Sequence, residues 1–405
     1  MMKLLLSVLL VLLAVALIGY GIGTNRLAAE DQAFIQHHPA MDLFPATWLW
    51  KGRAAYYDRL DPATAAFDYR QAIARQPLMI DAWLALAKVE LVRGERPAAQ
   101  RIMDLLEPRL AQVSTWKWQQ LLLAYDLQAE DHFAAAFNFI LARLPHHAAN
   151  ACYLAARFWG NWAAILPHVA PDNRLSYFNQ LMRARQVDAA LALWQTLAAS
   201  KTLPEKSEQI RFCRFLLGSK RLAAAETIWA NLSGSTVGQI YNGGFEKPPL
   251  HAPFAWNIGK TPDVSADRTS VFTYAGQYAL RLHFKGTKNI NYYQVYQLVP
   301  VKPGQHYVLH FAEKSRGITT DQGVFVEVSG YRCRGLYVHS NPLTGTHPWQ
   351  EQQLSIAVPA DCQAIQVRVR RKPSLMFDNK IQGDYWLDAV ELRKAADGSQ
   401  EAKAE

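Results

Sequence analysis

Few residues in this chain stand at the spacings that chemistry demands. His37-His38 and His146-His147 are adjacent pairs. Neighbours lie about 100° apart on a helix and on opposite faces of a strand, so neither pair gathers a metal by itself. They are expected at the surface or in loops. No H-E-x-x-H, G-x-S-x-G or Gly-rich phosphate loop is present. Glycosidic cleavage needs two carboxylates about 5–9.5 Å apart in a cleft. The acids here are scattered, and no barrel of some 250 residues is there to hold them. The chain therefore reads as a non-enzyme. Cys152, Cys213, Cys333 and Cys362 form no C-x-x-C pair and do not indicate zinc. In an exported chain Cys333 and Cys362 could bridge. Arg368, Arg370, Arg371 and Lys372 make the densest basic run, on the alternating Val367-Arg368-Val369-Arg370. That alternation reads as a strand with one wet face. A nucleic-acid binder would show a concentrated basic stripe, and the net charge of +9 is modest for 405 residues. No nucleic-acid partner is expected.

The elements that must position such groups fall into three blocks. With 50% hydrophobic, 11% aromatic and 19% charged residues, the chain is no disordered polymer and has room for two or three domains. Lys3 precedes an apolar run from Leu4 to Ile22, and about 20 helical residues cover the hydrocarbon core. The expectation is a short cytoplasmic N-terminus (1–3), a transmembrane signal anchor (4–23) and a translocated remainder. A cleaved signal peptide is the rival, with small residues at Ala14-Val15-Ala16 and Gly21-Ile22-Gly23.

From 45 to 232 alanine, leucine and tryptophan dominate without strand-like alternation. Ala190, Trp194 and Leu197 map onto Ala225, Trp229 and Leu232 at an offset of 35, and Trp83 and Trp118 are also 35 apart. Such a period indicates stacked helix pairs. Trp83, Leu86, Ala87, Gly94, Ala99, Met103 and Leu106 follow one unit; Tyr56, Ala65, Tyr69, Ala72 and Pro77 suggest the preceding one, and Trp118, Leu121, Tyr125, Ala134 and Pro145 a third. The stretch resembles the tetratricopeptide repeat (TPR) family, with departures at Gly52 and Glu90, where a large residue and an aromatic are usual. The resemblance implies a groove for a peptide or a partner domain.

After Leu232 the composition turns to β-branched and aromatic residues, with turns at Lys302-Pro303-Gly304 and Asn341-Pro342. Candidate strands cover 277–284, 292–301, 306–311, 323–328, 335–339, 352–358, 364–370 and 384–392. About eight or nine strands without a long helix predict a two-sheet sandwich from 236 to 394, followed by a disordered tail (395–405). Asn242-Gly243-Gly244-Phe245-Glu246, then Gly276-Gln277-Tyr278-Ala279-Leu280-Arg281-Leu282, Val301-Lys302-Pro303-Gly304 and Leu387-Asp388-Ala389-Val390-Glu391-Leu392 follow in order. This block resembles the jelly-roll, galactose-binding-like carbohydrate-binding modules.

Three things follow from that resemblance. An aromatic ring stacks on the C–H face of a pyranose while Gln, Asn and Arg satisfy its hydroxyls, so Trp256, Tyr292, Tyr293, Tyr296 and Trp349 are candidate platforms. Tyr292 and Tyr293 point to opposite faces, so at least one is structural. Family members often carry a structural calcium, for which Glu246 and Asp388 are the matching positions, although Ala389 stands where many relatives have a second aspartate. The whole reads as a multidomain α + β chain: an N-terminal transmembrane helix, a TPR-like α-helical solenoid and a C-terminal antiparallel β-sandwich (jelly roll). The expected role is a membrane-anchored, outward-facing scaffold in the bacterial inner membrane. It binds polysaccharide or oligosaccharide through the sandwich and envelope protein partners through the repeats, and assists polysaccharide assembly, export or retention. The alternatives are a pure protein-interaction scaffold and a degenerate carbohydrate-active enzyme.

Overall fold

The computed structural model describes residues 2–29, 34, 38–200 and 202–395. His37 and the tail beyond Ala395 lie outside the described residues. The chain divides into two compact units, Met1–Thr196 and Leu197–Glu405.

The first unit is helical. Helix α1 (Met2–Ala28) contains an 18-residue stretch, Leu9–Arg26, long and apolar enough to cross a membrane. Then come α2 (Pro45–Tyr57), α3 (Pro62–Arg75), α4 (Ile80–Val92), α5 (Arg96–Leu110), α6 (Lys117–Asp126), α7 (Glu130–Arg143), α8 (Pro145–Phe158), α9 (Arg174–Arg183) and α10 (Val187–Ala199), the last straddling the division. Proline opens α2, α3 and α8, where its missing N–H costs nothing. Asp61 caps α3 by accepting from the amides of Ala63 and Thr64 at 3.1 and 3.0 Å. Gly94, at φ +85°, makes the turn between α4 and α5. His146 and His147 sit in the first turn of α8, His146 exposed at the surface as expected and His147 half-buried and stacked on Trp118.

Helices α2 through α8 pack mostly on their successors, and α2 also meets α4, and α4 meets α6. Ala87 and Ala99 are fully buried and let α4 and α5 approach, while Met103 and Leu106 fill the space between. The 35-residue spacing reappears in hydrogen bonds: Trp116 Nε1 donates to Asp81 Oδ1, Asn173 Nδ2 to the Asn138 carbonyl and Ser176 Oγ to the Leu141 carbonyl, each across 35 residues. Both departures from the repeat pattern have physical causes. A Cβ on Gly52 would stand 2.5 Å from the Tyr69 ring, which occupies the space a large residue would need. Glu90 is buried but paired, accepting from Arg70 and from Arg93 at 2.8 Å.

The second unit opens with α11 (Lys206–Gly218) and α12 (Leu222–Ser233), which precede the strands and belong with them. The Trp229 ring lies 5.1 Å from Tyr241 and 6.1 Å from Phe254, and Arg214 Nη2 donates to the His251 carbonyl at 2.8 Å. The strands are β1 (Asn257–Ile258), β2 (Val264–Thr269), β3 (Ala279–Lys285), β4 (Tyr292–Pro300), β5 (His306–Ile318), β6 (Phe325–Gly330), β7 (Tyr337–His339), β8 (Gly345–Ala357), β9 (Ala364–Arg371) and β10 (Gln382–Lys394). They form two antiparallel sheets: sheet A in the order β1-β4-β9-β6-β7, and sheet B in the order β2-β3-β10-β5-β8. The segment 277–284 is displaced by one or two residues from β3, and β8 begins seven residues ahead of the expected 352–358. Strands β1 and β2 have no counterpart among the sequence candidates, because β1 is two residues long and β2 (Val-Ser-Ala-Asp-Arg-Thr) is mostly polar.

Alternation sends Leu280, Leu282, Phe284, Val295, Val299, Leu309, Phe311, Val326, Val328, Val367 and Val369 into one core between the sheets. Polar side chains are buried with them, among them Gln297, Glu313 and Arg371. Gln297 binds both backbone groups of Tyr241, at 3.1 and 2.9 Å, and ties the entry segment to β4. Glu313 accepts from the Tyr385 hydroxyl at 2.9 Å and from Gln350 at 3.3 Å. Arg371 is fully buried and donates to Asn289 Oδ1 and to the carbonyls of Ile290 and Asn379 at 2.6–2.9 Å and of Gln322 at 3.3 Å, pinning three loops at one end of the sandwich. Cys333 and Cys362 form a disulfide.

Candidate functional site

The outer face of sheet A gathers polar, charged and aromatic side chains. Strand register sets one row across all five strands. Asn257 on β1 stands opposite Tyr296 on β4, Tyr296 opposite Arg368 on β9, Arg368 opposite Glu327 on β6, and Glu327 opposite His339 on β7. A second row runs Leu298, Gln366, Ser329, Tyr337. A period of two puts every second residue of each strand outside, so Gln366, Arg368 and Arg370 alternate with core residues Ile365, Val367 and Val369.

Hydrogen bonds hold these side chains in place. Glu327 is 4% exposed and accepts from Arg368 Nη1 and from the Tyr337 hydroxyl, both at 3.1 Å. Arg370 Nε lies 3.6 Å from the same carboxylate, and Arg368 Nη2 donates to Gln366 Oε1. Arg370 Nη1 donates to the Tyr292 carbonyl at 3.0 Å, and its guanidinium lies 5.6 Å from the Tyr293 ring centre. Lys372 stands over Phe325 and Tyr337 at 5.6 and 5.9 Å. At the other end of the face a cleft of about 390 Å³ is lined by Arg214, Pro253, Asn257, Tyr296, Tyr331 and Gln366 among others.

Of the five aromatic candidates, the structure brings two together here: Tyr293, 47% exposed, and Tyr296, half-buried within the first row. Trp256 and Tyr292 are 3% and 0% exposed and pack in the core against Phe245 and Phe284 respectively, although Trp256 also contributes to the lining of the cleft beside Tyr296. Alternation along β4 places Tyr292 inward and Tyr293 outward, whereas Trp256 precedes β1 and is buried by tertiary packing. Trp349 lies on β8 of the other sheet, its ring 5.8 Å from Tyr274. Glu327, Tyr337, His339 and Gln366 were not singled out from the sequence. The signal that marks them is the polar half of Phe325-Val-Glu327-Val-Ser329 and Tyr337-Val-His339, read as the wet side of neighbouring strands.

Glu246 and Asp388 do converge, at the turn where Asn242-Gly243-Gly244-Phe245-Glu246 meets a bulge in β10. A Cβ on Gly243 would stand 1.8 Å from the Val390 carbonyl oxygen, so only glycine fits. Glu246 Oε1 accepts from the amides of Gln277 and Tyr278 at 2.9 and 3.1 Å. Asp388 Oδ2 accepts from Tyr274 and Ala275, at 2.9 and 3.1 Å, and Oδ1 from Ala389 at 2.7 Å. Five N–H donors therefore meet charge that a cation would otherwise balance. No group of three or more His, Cys, Asp or Glu is assembled among the described residues. Calcium takes six to eight oxygens, and this donor set fits a hydrogen-bonded brace better.

Sheet B carries its own charged cluster. Burial raises the Asp384 carboxyl, but hydrogen bonds from Arg316, Arg281 and His283 outweigh it and hold the pKa below the usual range. Burial also pushes the Glu313 carboxyl up to about 7, against hydrogen bonds from Tyr385, Gln350 and Gln352 that pull it down.

No family model matches the sequence, and no curated protein matches it. Among solved structures, a family 16 carbohydrate-binding module is similar at 20% identity over 38% of this chain and 97% of its own, with a TM-score of 0.28. The CBM22-1 xylan-binding domain of Paenibacillus barcinonensis Xyn10C is similar at 13% identity over 40% of this chain and 99% of its own, TM-score 0.29. A Stig cyclase from Fischerella is similar at 16% identity over 40% of this chain and 98% of its own, TM-score 0.27.

Proposed function

We propose that the outer face of sheet A binds a polysaccharide chain, and that the protein is a non-enzymatic, membrane-anchored scaffold presenting this face outside the cytoplasm. The observation that carries the reading is the row Asn257–Tyr296–Arg368–Glu327–His339, five polar or aromatic side chains in register on five strands. Sugars need donors and acceptors fixed beside an aromatic surface. Here Tyr293, Tyr296 and Tyr337 supply rings, and Gln294, Gln366 and Arg368 supply hydrogen-bonding groups. One carboxylate, Glu327, stands on the face, engaged by two arginines and a tyrosine, whereas glycoside hydrolysis uses a pair. The Cys333–Cys362 disulfide favours an oxidising compartment, and α1 has the length of a single anchor. A role in assembling, exporting or retaining an extracellular polysaccharide fits these features.

The test is affinity electrophoresis of the full chain in mild detergent through gels holding neutral and acidic polysaccharides. At least one polymer should retard the protein, and Tyr296→Ala with Tyr293→Ala should abolish the retardation. Free migration through every polymer, the host's own included, overturns the reading.

Partner recruitment by the helical unit is a second element of the proposal. Helices α2, α4 and α6 share a groove of about 320 Å³ whose lining includes Arg53, Tyr57, Asp81, Lys88, Gln119 and Asp126. A TPR-like array would hold a peptide in such a groove. Co-purification of envelope proteins that is lost in Lys88→Glu and kept when the sandwich face is mutated supports it; a pull-down unchanged by Lys88→Glu removes this element.

A further inference from the structure

We infer that the polysaccharide bound by sheet A is an acidic one, carrying carboxylate groups along its chain. This rests on the glycan-binding reading above and deepens it.

Acidic residues are unevenly divided between the two sheets, although in sheet B seven lysines and arginines accompany them. The five strands of sheet B hold six acidic residues: Asp267, Glu313, Glu351, Asp384, Asp388 and Glu391. The five strands of sheet A hold one, Glu327. That single carboxylate is shared by Arg368, Arg370 and Tyr337, so two guanidiniums face one anion at the centre of the face. A guanidinium carries five donors and no acceptor. Gln366, Asn291 and the Tyr292 carbonyl also accept from these guanidiniums, so the surplus is one of charge: a neutral glycan leaves it unbalanced, while a carboxylated sugar supplies the counter-charge.

Both ends of the face extend the positive charge. Lys372 stands at one end over Phe325 and Tyr337. At the other end Arg332 and Arg334 are exposed on the loop joining β6 to β7, beside Tyr331 of the cleft, and Arg214 lines that cleft. Cys333 lies between the two arginines and is tied to Cys362, ahead of β9. A Cβ on Gly330 would stand 2.3 Å from Cys333 Sγ, so this residue must be glycine for the bridge to sit there. The loop is thus stapled, and its two cations are displayed from a fixed base. The flanking loops also hold acids, Asp361 at the cleft end and Asp321 and Asp378 at the Lys372 end, where Asp321 is engaged by Ser374. An extended polyanion lying along β9, whose eight residues span roughly 25 Å, would meet a cation at each end and two in the middle.

The experiment compares polymers of one backbone with and without charge. Full-length protein in mild detergent is run through gels of polygalacturonate, of the same polymer after methyl esterification, of alginate and of neutral glucans and xylan. The expected result is retardation by an acidic polymer at least tenfold stronger than by the ester or the neutral polymers. Retardation should also weaken severalfold between 50 and 300 mM NaCl, and again in Arg332→Ser with Arg334→Ser at unchanged melting temperature. Equal retardation by acid and ester, or binding of neutral polymers alone, overturns the acidic class and leaves the glycan reading standing. Retardation by none of them, nor by the host's own polymer, removes both.

Discussion

At the scale of single residues, the sandwich depends on buried carboxylates whose charge is set by burial and hydrogen bonds acting against each other. Glu313 lies between the sheets with its acid constant pushed up to about 7 by burial. The folded form therefore keeps a proton that the unfolded chain, near 4.5, has released. This contribution to stability is complete below about pH 4.5 and is lost as pH rises through 7, a change of about 3 kcal/mol. Glu313→Gln should flatten that decline, measured as the difference in urea midpoint between pH 5 and pH 8. An identical decline in the variant would assign it to other groups. Asp388 works differently. Its oxygens accept three backbone N–H groups where the 274–278 loop meets β10. Asp388→Ala leaves those donors without a partner, at about 1–3 kcal/mol for each one that stays buried, and a clear fall in melting temperature is expected. Chelation should leave the melting temperature of the wild type unchanged, and a rise on adding calcium would show that the amides yield to a cation.

At the scale of elements, the face is made by register and kept by a staple. Shifting β9 by one residue against β6 would turn Arg368 and Arg370 into the core and Val367 and Val369 out. The stapled loop between β6 and β7 fixes one end of that pairing. Cysteines 29 residues apart close a loop whose cross-link is worth about 3–4 kcal/mol. Reduction, or Cys333→Ser with Cys362→Ser, should lower thermal stability of the second unit and loosen the arginine loop, read as faster amide exchange at residues 331–336. Unchanged exchange there would show that the strands alone position the loop. The pairing of α11 and α12 with the sandwich was not legible in the sequence, because Trp229 repeats the pattern of Trp194 and reads as one more repeat. Its ring packs against Tyr241 and Phe254, long-range partners that periodicity cannot name.

At the scale of the whole molecule, an apolar helix, a helical unit and a sandwich-bearing unit lie on one chain. If α1 is a retained anchor, the protein stays in the pellet after alkaline carbonate washing, and a chain lacking residues 1–28 moves to the soluble fraction. A chain that is soluble with its N-terminus trimmed by export would identify a cleaved signal. The order of these blocks was written in the sequence by local physics: an unbroken apolar run, a period of 35, and alternation with turn residues each need no distant partner to be recognised. Alternation also foretold that Tyr292 and Tyr293 would part. Which of them reached solvent, and that Trp256 would close into the core, depended on how the two sheets pack. So did the meeting of Tyr296, Arg368, Glu327 and His339, which lie far apart in the chain and share a row only through strand pairing. Periodicity reports each strand's wet side, but non-local hydrogen bonds alone decide which strands stand next to one another, and the site exists only in that adjacency.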